Sequence, residues 1–300
     1  MGYLAILFPS LQNRRLPLTR DQLMLLMAAV NLFFLGLDTY LAHLISGTIR
    51  PREWIPILFG PTAGVLLLIA GLVALRHRQS ANWLATVVLI SSTVVGLLGA
   101  YFHMVRGSLP TAPAGSRLSV SLLIWAPPVV APLTFALVGL WGLSAAWIEE
   151  PADSGTLRLW RTRRLTLPYS KTRAYLFMVS LGILATLFSS VLDHARTDYA
   201  NPWLWIPFIS GVFGTVVTVG LGAINQPKRS DVAIYVMTML LLIVVGLVGA
   251  VLHVQTDLVG TSIVVPERFL RGAPFLAPLL FANMGMLGLI TILSPVEQRA

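Results

Sequence analysis

Long apolar runs recur along this chain, and each one ends in polar or Pro/Gly-rich sequence. A helix needs about 20 apolar residues to cross a hydrocarbon layer about 30 Å thick. Of 300 residues, 56% are hydrophobic and 11% are charged, and the mean hydropathy is +0.80, which is more apolar than one soluble core can bury. The sequence therefore predicts an all-α integral membrane protein with eight transmembrane helices. These cover residues 22–46, 54–75, 83–105, 122–147, 173–194, 203–225, 232–254 and 273–294.

The second half of the chain repeats the first. The stretch "VVGLLGAYFH" at 94–103 aligns with "VVGLVGAVLH" at 244–253, and "REWIPILFG" at 52–60 aligns with "WLWIPFISG" at 203–211. Each copy holds four predicted helices, an even number, so the second copy enters the membrane from the same side as the first. We therefore expect two tandem four-helix bundles related by a pseudo-twofold axis along the membrane normal.

This repeat divides the chain into five segments. The start carries its short apolar piece before its arginines, which is not the order of a cleavable signal peptide. The linker between the repeats is basic, and its arginines are expected to lie on the lipid surface or to dock a cytoplasmic partner. The segments are a cytoplasmic or interfacial leader at 1–21, a first repeat at 22–147, a linker at 148–172, a second repeat at 173–294 and a tail at 295–300.

The distribution of basic residues predicts the orientation. Lys and Arg accumulate on the side of a membrane protein that is not translocated. With the N-terminus inside, 14 of the 21 Lys and Arg residues fall on inner segments. We therefore expect a multi-pass inner-membrane protein with both termini in the cytoplasm. The net charge of +9 then reflects this bias and attraction to anionic lipid, and no basic patch with interleaved aromatics suggests a nucleic-acid partner.

Four of the five histidines occupy two repeat-equivalent positions. His43 aligns with His194 near the end of the first helix of each repeat, and His103 aligns with His253 near the end of the third. The first and third helices run in the same direction, so all four imidazoles are predicted at one depth near the outer face. The fifth, His77, lies between basic residues on a short inner loop, which is typical of a solvated side chain.

Two imidazoles at matched height on facing helices are what a bis-histidine haem b requires. The sequence therefore predicts that His43 with His103, and His194 with His253, bind haem b as iron ligands. The open alternatives are quinone hydrogen bonding, a copper-type ion, another tetrapyrrole, or rings that only sit at the membrane interface.

Small residues and arginines surround these histidines. The small residues are spaced so that a flat ring or a neighbouring helix can approach the backbone closely. They are Gly96, Gly99, Ala100, Gly246, Gly249 and Ala250. Arginines on the outer side could pair with haem propionates. They are Arg50, Arg52, Arg106 and Arg196.

Carboxylates are scarce in the predicted helices, which makes the few present informative. Asp38, Asp193 and Glu53 are candidates for handling protons or for orienting a histidine. Neither Asp38 nor Asp193 aligns with an acid in the other repeat, so each could handle protons or orient a histidine in its own repeat only.

Two Pro-x-x-x-Pro elements begin the fourth and eighth predicted helices on the same outer side. They are Pro128 with Pro132 and Pro274 with Pro278. Proline leaves backbone carbonyls unpaired, and in a membrane these must be satisfied by neighbours, water or a ligand. We therefore expect irregular backbone close to the histidines.

Several chemistries lack their usual carriers. The chain has no cysteine, which excludes disulfides, thiolate zinc sites, cysteine-ligated iron–sulfur clusters and covalent c-type haem. It also has no Walker motif, GxGxxG after a strand, HExxH or GxSxG. Ionisable residues within the predicted helices are too few for a typical pump, and no catalytic residue is predicted.

The plan of paired four-helix bundles resembles that of the quinone-interacting membrane subunits of respiratory oxidoreductases. This resemblance is one of architecture. It favours a redox function and assigns a role to no particular residue. The expected function is a membrane-anchor electron-transfer subunit that binds haem b or contacts quinone, with other subunits of a redox complex and a periplasmic electron carrier as partners. The alternatives are a transporter or channel for a small solute between the repeats, or a structural membrane subunit.

Overall fold

The computed structural model of the chain is dominated by helices. It describes residues 3–11, 17–45, 47–109, 111–159, 163–258 and 264–293, so the predicted tail at 295–300 and part of the leader lie outside the described residues. The helices are α1 (Tyr3–Leu7), α2 (Arg20–Leu44), α3 (Trp54–Ala74), α4 (Arg78–Arg106), α5 (Val120–Trp125), α6 (Val130–Ala146), α7 (Lys171–Ala195), α8 (Trp205–Ala223), α9 (Arg229–Leu258), α10 (Pro266–Arg271) and α11 (Leu279–Thr291). Short 3₁₀ turns lie at Pro9–Leu11, Pro51–Glu53, Ala114–Ser116 and Pro202–Leu204.

Within the described part of the chain, six helices are long and apolar enough to cross a membrane: α2, α3, α4, α7, α8 and α9. The 25 residues of α2 extend about 37 Å at 1.5 Å per residue, which exceeds the hydrocarbon thickness. Their exposed surfaces are rich in Leu, Ile, Val and Phe, as expected for helices that face lipid. The prediction of a helical, multi-pass membrane protein is confirmed at this level.

The other two predicted membrane helices are shorter in the structure. Residues predicted as one helix at 122–147 are divided between α5 and α6, because consecutive prolines at 127 and 128 interrupt the backbone hydrogen bonds. The helix predicted to begin at 273 begins instead at Leu279, just after Pro278. In both places a helical backbone conformation is unfavourable for the residue that precedes a proline. The apolar helices that remain are α6, with 17 residues, and α11, with 13.

The helices pack in two groups with the same order. In the first, α2 and α4 each pack against both α3 and α6, so α2 and α4 lie diagonally across the group. In the second, α7 and α9 each pack against both α8 and α11. The groups meet where α6 contacts α7 and where α11 contacts α2.

A buried charged cluster joins the two groups at the N-terminal ends of α2 and α7. The fully buried Lys171 donates from Nζ to Asp21 Oδ2 at 2.5 Å and to the carbonyl of Trp147 at 2.7 Å. Arg20, also buried, donates from Nη1 to Thr172 Oγ1 at 2.6 Å. Unpaired burial of these cations would be costly, so the reciprocal contacts fix how the two N-terminal ends meet.

A pair of asparagines joins the groups farther along the helices. Asn31 on α2 and Asn283 on α11 exchange two amide hydrogen bonds of 3.2 and 2.7 Å. Asn31 also donates to the carbonyl of Met27 at 2.7 Å. Amide pairs of this kind hold helices together where no water competes for the hydrogen bonds.

The connection between α6 and α7 forms three short strands that the sequence analysis did not predict. They are β1 (Ile148–Glu149), β2 (Thr156–Arg158) and β3 (Arg164–Thr166), in the antiparallel order β1-β2-β3. The buried Glu149 ties the sheet to the helices, because its Oε1 accepts from the backbone N–H of Gly155 and of Lys171, both at 2.8 Å. The linker is therefore folded against the ends of α6 and α7.

We predict that Asn31→Leu destabilises the protein by about 1–2 kcal/mol, because it leaves the Asn283 amide unpaired in an apolar contact. Replacing both asparagines with leucine should recover part of this loss. The measurement is thermal unfolding in detergent, read as a double-mutant cycle. Asn82→Leu is the control, since no side-chain hydrogen bond of Asn82 occurs among the described residues. Equal melting of the single variant, the double variant and the control would show that the amide pair is unimportant.

Candidate functional site

The structure brings the four histidines together as two pairs. The ring centres of His43 on α2 and His103 on α4 are 6.2 Å apart, with the rings inclined by 60°. Those of His194 on α7 and His253 on α9 are also 6.2 Å apart, inclined by 87°. All four side chains are half-buried. Each pair spans the diagonal of its helix group, and both have the same separation.

The separation of 6.2 Å can be compared with two arrangements of imidazoles. A metal–nitrogen bond of about 2.0–2.1 Å, with about 1.1 Å from the nitrogen to the ring centre, places two ligands on opposite sides of one ion about 6.3 Å apart. A direct N–H···N hydrogen bond of about 2.9 Å would place them about 5 Å apart. The observed spacing is longer than a direct hydrogen bond would give and is similar to the distance between two ligands on opposite sides of one ion.

Three of the imidazoles are oriented by backbone carbonyls. His103 Nδ1 lies 2.9 Å from the carbonyl oxygen of Pro128, and His253 Nδ1 lies 3.1 Å from that of Pro274. His43 Nδ1 lies 2.8 Å from the carbonyl of Thr39, one turn earlier in α2. A carbonyl can only accept, so these contacts place a hydrogen on Nδ1, and in a neutral ring Nε2 then carries the lone pair. Metal-binding histidines are commonly held this way.

The Pro-x-x-x-Pro elements explain why these carbonyls are available. In a helix the carbonyl of Pro128 would accept from the backbone of the residue four positions later, but that residue is Pro132, which has no N–H. Pro278 stands in the same relation to Pro274. His103 thus donates to a carbonyl that has no backbone donor among the described residues, whereas the carbonyl that His253 contacts also accepts from the backbone N–H of Ala277 at 3.0 Å. The two proline elements and the histidines form one structural unit.

The glycines on α4 and α9 serve helix packing. A Cβ on Gly96 would meet the backbone of α6, including the Pro132 oxygen at 2.9 Å. A Cβ on Gly246 would meet that of α11, including the Pro278 oxygen at 2.8 Å. Small residues at these positions were expected to allow close approach of either a neighbouring helix or a flat ring. At Gly96 and Gly246 the structure shows a neighbouring helix.

One acid–arginine pair lies beside each histidine pair. Arg106 Nη1 is 3.8 Å from Glu53 Oε1 in the first group, and Arg196 Nη2 is 3.8 Å from Asp193 Oδ1 in the second. These pairs are not repeat equivalents, because the alignment places Leu204 at the position of Glu53. The two halves therefore supply similar charges from different positions.

The remaining predicted site residues are spread around the outer end. Arg52 lies over the ring of Phe102 at 5.0 Å, and the backbone N–H of Arg50 donates to Glu53 Oε2 at 2.8 Å. Asp38 is exposed on α2, and no hydrogen bond or ion pair joins its side chain to another described residue. The structure thus brings Glu53 and Asp193 to the histidine level but does not join Asp38 to His43.

A tyrosine that sequence reasoning missed lies on the loop after α7. Tyr199 stacks on Trp205 with ring centres 5.2 Å apart and donates to the carbonyl of Val191 at 2.6 Å. Desolvation raises the pKa of the Tyr199 phenol above its ordinary value. Its backbone has a φ of 52°, a left-handed conformation that the apolar pattern does not reveal.

Comparisons with known proteins give no relative for this chain: no family model, no curated protein and no solved structure matches it.

We predict that Gly96→Ala destabilises the protein by about 1–3 kcal/mol, because the new methyl group meets the backbone of α6 and would force it away from α4. The matched control is Gly71→Ala in α3, where a Cβ meets nothing within 4 Å. That change should be neutral or slightly stabilising, since alanine favours a helix over glycine by about 0.5–1 kcal/mol. Thermal unfolding in detergent measures both, and equal effects would contradict the packing role of Gly96.

Proposed function

We propose that this protein is a membrane electron-transfer subunit with one redox centre at each histidine pair. The observation that carries the proposal is the shared separation of 6.2 Å between His43 and His103 and between His194 and His253. The spacing suits two axial nitrogens on one metal, and the haem b of a membrane redox complex is the group that uses two such ligands.

The residues present fit axial ligation. The Nε2 atoms would be the ligands, and the carbonyls of Pro128 and Pro274 would hold the rings of His103 and His253 in place. Arg106 and Arg196 stand nearby as candidate partners for carboxylate groups, although each is shared with an acid of the protein. Haem b would supply one-electron transfer, and the protein's part would be to orient the ligands and to set their hydrogen bonding.

Several finer features belong to the same proposal. The matching packing orders of the two helix groups support a tandem repeat with a pseudo-twofold axis. The 17 residues of α6 extend about 26 Å and the 13 of α11 about 20 Å, so the proline-rich stretches before them would have to complete an eight-span arrangement. We also propose an inner-membrane location with cytoplasmic termini, and a periplasmic electron carrier and further complex subunits as partners.

A transporter of small solutes is the second candidate. The observation that favours it is the polar contact between the helix groups, where Asn31 and Asn283 pair inside an apolar interface. A solute path at this contact would require the two helix groups to move apart. Solute flux into liposomes that contain the purified protein and no redox partner would favour this candidate.

We predict that the protein, expressed with sufficient haem, shows a Soret band with two haems per chain. His43→Ala should halve the absorbance per chain, and His43→Ala combined with His194→Ala should abolish it, because each pair needs both nitrogens. His77→Ala is the control, since His77 is exposed in the turn between α3 and α4 and should leave the spectrum unchanged.

A protein without a Soret band under these conditions would contradict the haem form of the proposal. Turnover of a quinol would then be compared between the native protein and the variant with all four histidines replaced. A histidine-dependent turnover would assign the pairs to quinone, whereas unchanged turnover would contradict that role as well.

We predict that the termini face the cytoplasm. The chain has no cysteine, so single cysteines can be introduced without background labelling. An impermeant maleimide added to intact cells should label Thr111→Cys in the loop before α5 and should label Ser10→Cys only after the membrane is opened. The opposite labelling pattern would contradict the orientation inferred from the Lys and Arg bias.

A further inference from the structure

The small sheet between α6 and α7 lies at the opposite end of the helices from the histidines. The N-terminal ends of α2 and α7 meet beside it, whereas His43 and His194 lie near the C-terminal ends of the same helices. The function proposed for the histidines does not involve this end of the molecule. The exposed surface of the sheet is therefore separate from the histidine sites.

One edge of the sheet is open. Among the described residues β3 pairs only with β2, as the last strand of the order β1-β2-β3. Leu159 donates to the carbonyl of Arg163 at 3.1 Å and Leu167 to that of Gly155 at 2.8 Å, so the odd-numbered positions of this strand bond towards β2. The N–H and C=O groups of Arg164 and Thr166 therefore point away from β2, along an exposed edge.

The sheet turns its arginines away from the helices. Leu157 is 2% exposed and lies opposite Glu149, which is also buried, so that face packs on the helix ends at β1 and β2, while Leu165 on the same face of the edge strand is 42% exposed. Adjacent residues of a strand point to opposite faces. The directly opposed pair of Arg158 and Arg164 therefore lies on the outward face.

These arginines carry excess positive charge. Like charges directly opposite each other destabilise a strand pair. Arg158 is partly compensated, because its Nη1 is 3.2 Å from Glu150 Oε2. The exposed Arg163 and Arg164 have no ion-pair partner among the described residues. Charged side chains on an edge strand discourage pairing with a second copy of the same sheet. A segment of opposite charge would meet attraction at the same place.

We propose that this edge docks an extended acidic segment of a soluble protein. The segment would add a strand beside β3, with main-chain hydrogen bonds to Arg164 and Thr166 and carboxylates on the arginine side chains. An acidic protein segment fits better than the headgroups of the surrounding membrane, because the buried Leu157 directs the arginines away from the helix ends.

The test uses the full-length protein in nanodiscs of zwitterionic lipid and a fluorescent peptide of alternating Glu and Val. Fluorescence anisotropy should show saturable binding that Arg164→Glu weakens at least tenfold. The matched control is Arg229→Glu, which reverses the charge of an exposed arginine at the start of α9 and should change binding less than twofold. A peptide with Lys in place of every Glu should bind the Arg164→Glu variant better than the native protein.

A second measurement tests the main-chain contacts without altering the protein. The same acidic peptide, N-methylated at alternate residues, keeps its charge but loses the N–H groups that would face β3, and it should bind at least tenfold more weakly. Equal binding of both peptides, equal loss with Arg229→Glu, or complete absence of binding would overturn the proposal. Displacement of the peptide by millimolar inorganic phosphate, with N-methylation having no effect, would overturn it in favour of a simple anion site.

Discussion

The hydrogen bond between a histidine and a proline-rich helix start is the contact on which the outer end of the structure depends. In an apolar surrounding a backbone carbonyl cannot be left without a donor. Pro132 and Pro278 remove the donors that a regular helix would supply. The imidazole of His103 takes that place at Pro128, and at Pro274 the imidazole of His253 adds to the N–H of Ala277. The same bond restrains each ring, whose centre lies 6.2 Å from that of the facing histidine.

This arrangement holds because α4 and α9 approach their neighbours closely. Gly96 and Gly246 allow α6 and α11 to lie against them without an intervening side chain. The helix starts that carry Pro128 and Pro274 are thereby brought within reach of the histidines near the ends of α4 and α9. Packing and the orientation of the candidate ligands are consequently coupled.

The two halves share this frame but differ in their charges. Glu53 with Arg106 and Asp193 with Arg196 lie at comparable distances beside the histidines, from positions that are not equivalent. At the other end, Lys171 and Arg20 both contact Asp21, and Arg20 also donates to the hydroxyl of Thr172. The redox centres proposed at the two histidine pairs would therefore have similar ligands and different electrostatic surroundings.

Much of this could be read from the sequence, and the failures have physical causes. Apolar run length located α2, α3, α4, α7, α8 and α9 to within a few residues, because hydrophobic length is what a membrane selects. It failed at α6 and α11, where hydropathy stays high while proline interrupts the helix.

For the site, alignment of the halves found the histidine positions but could not give the ring separation. The glycine spacing left a flat ring and a close helix as equal alternatives, which only packing could decide. The three strands were missed because strands of two or three residues in a polar linker give no periodicity. The contact of Asn31 with Asn283 was missed because it joins residues that the repeat does not relate.

Electron paramagnetic resonance of the oxidised, purified protein tests the central claim most directly, because it reports the axial ligands of each iron. We expect low-spin ferric signals from two centres per chain, each with two imidazole ligands, and loss of one of these signals in His253→Ala. A high-spin signal, or low-spin signals that persist after all four histidines are replaced, would contradict the central claim.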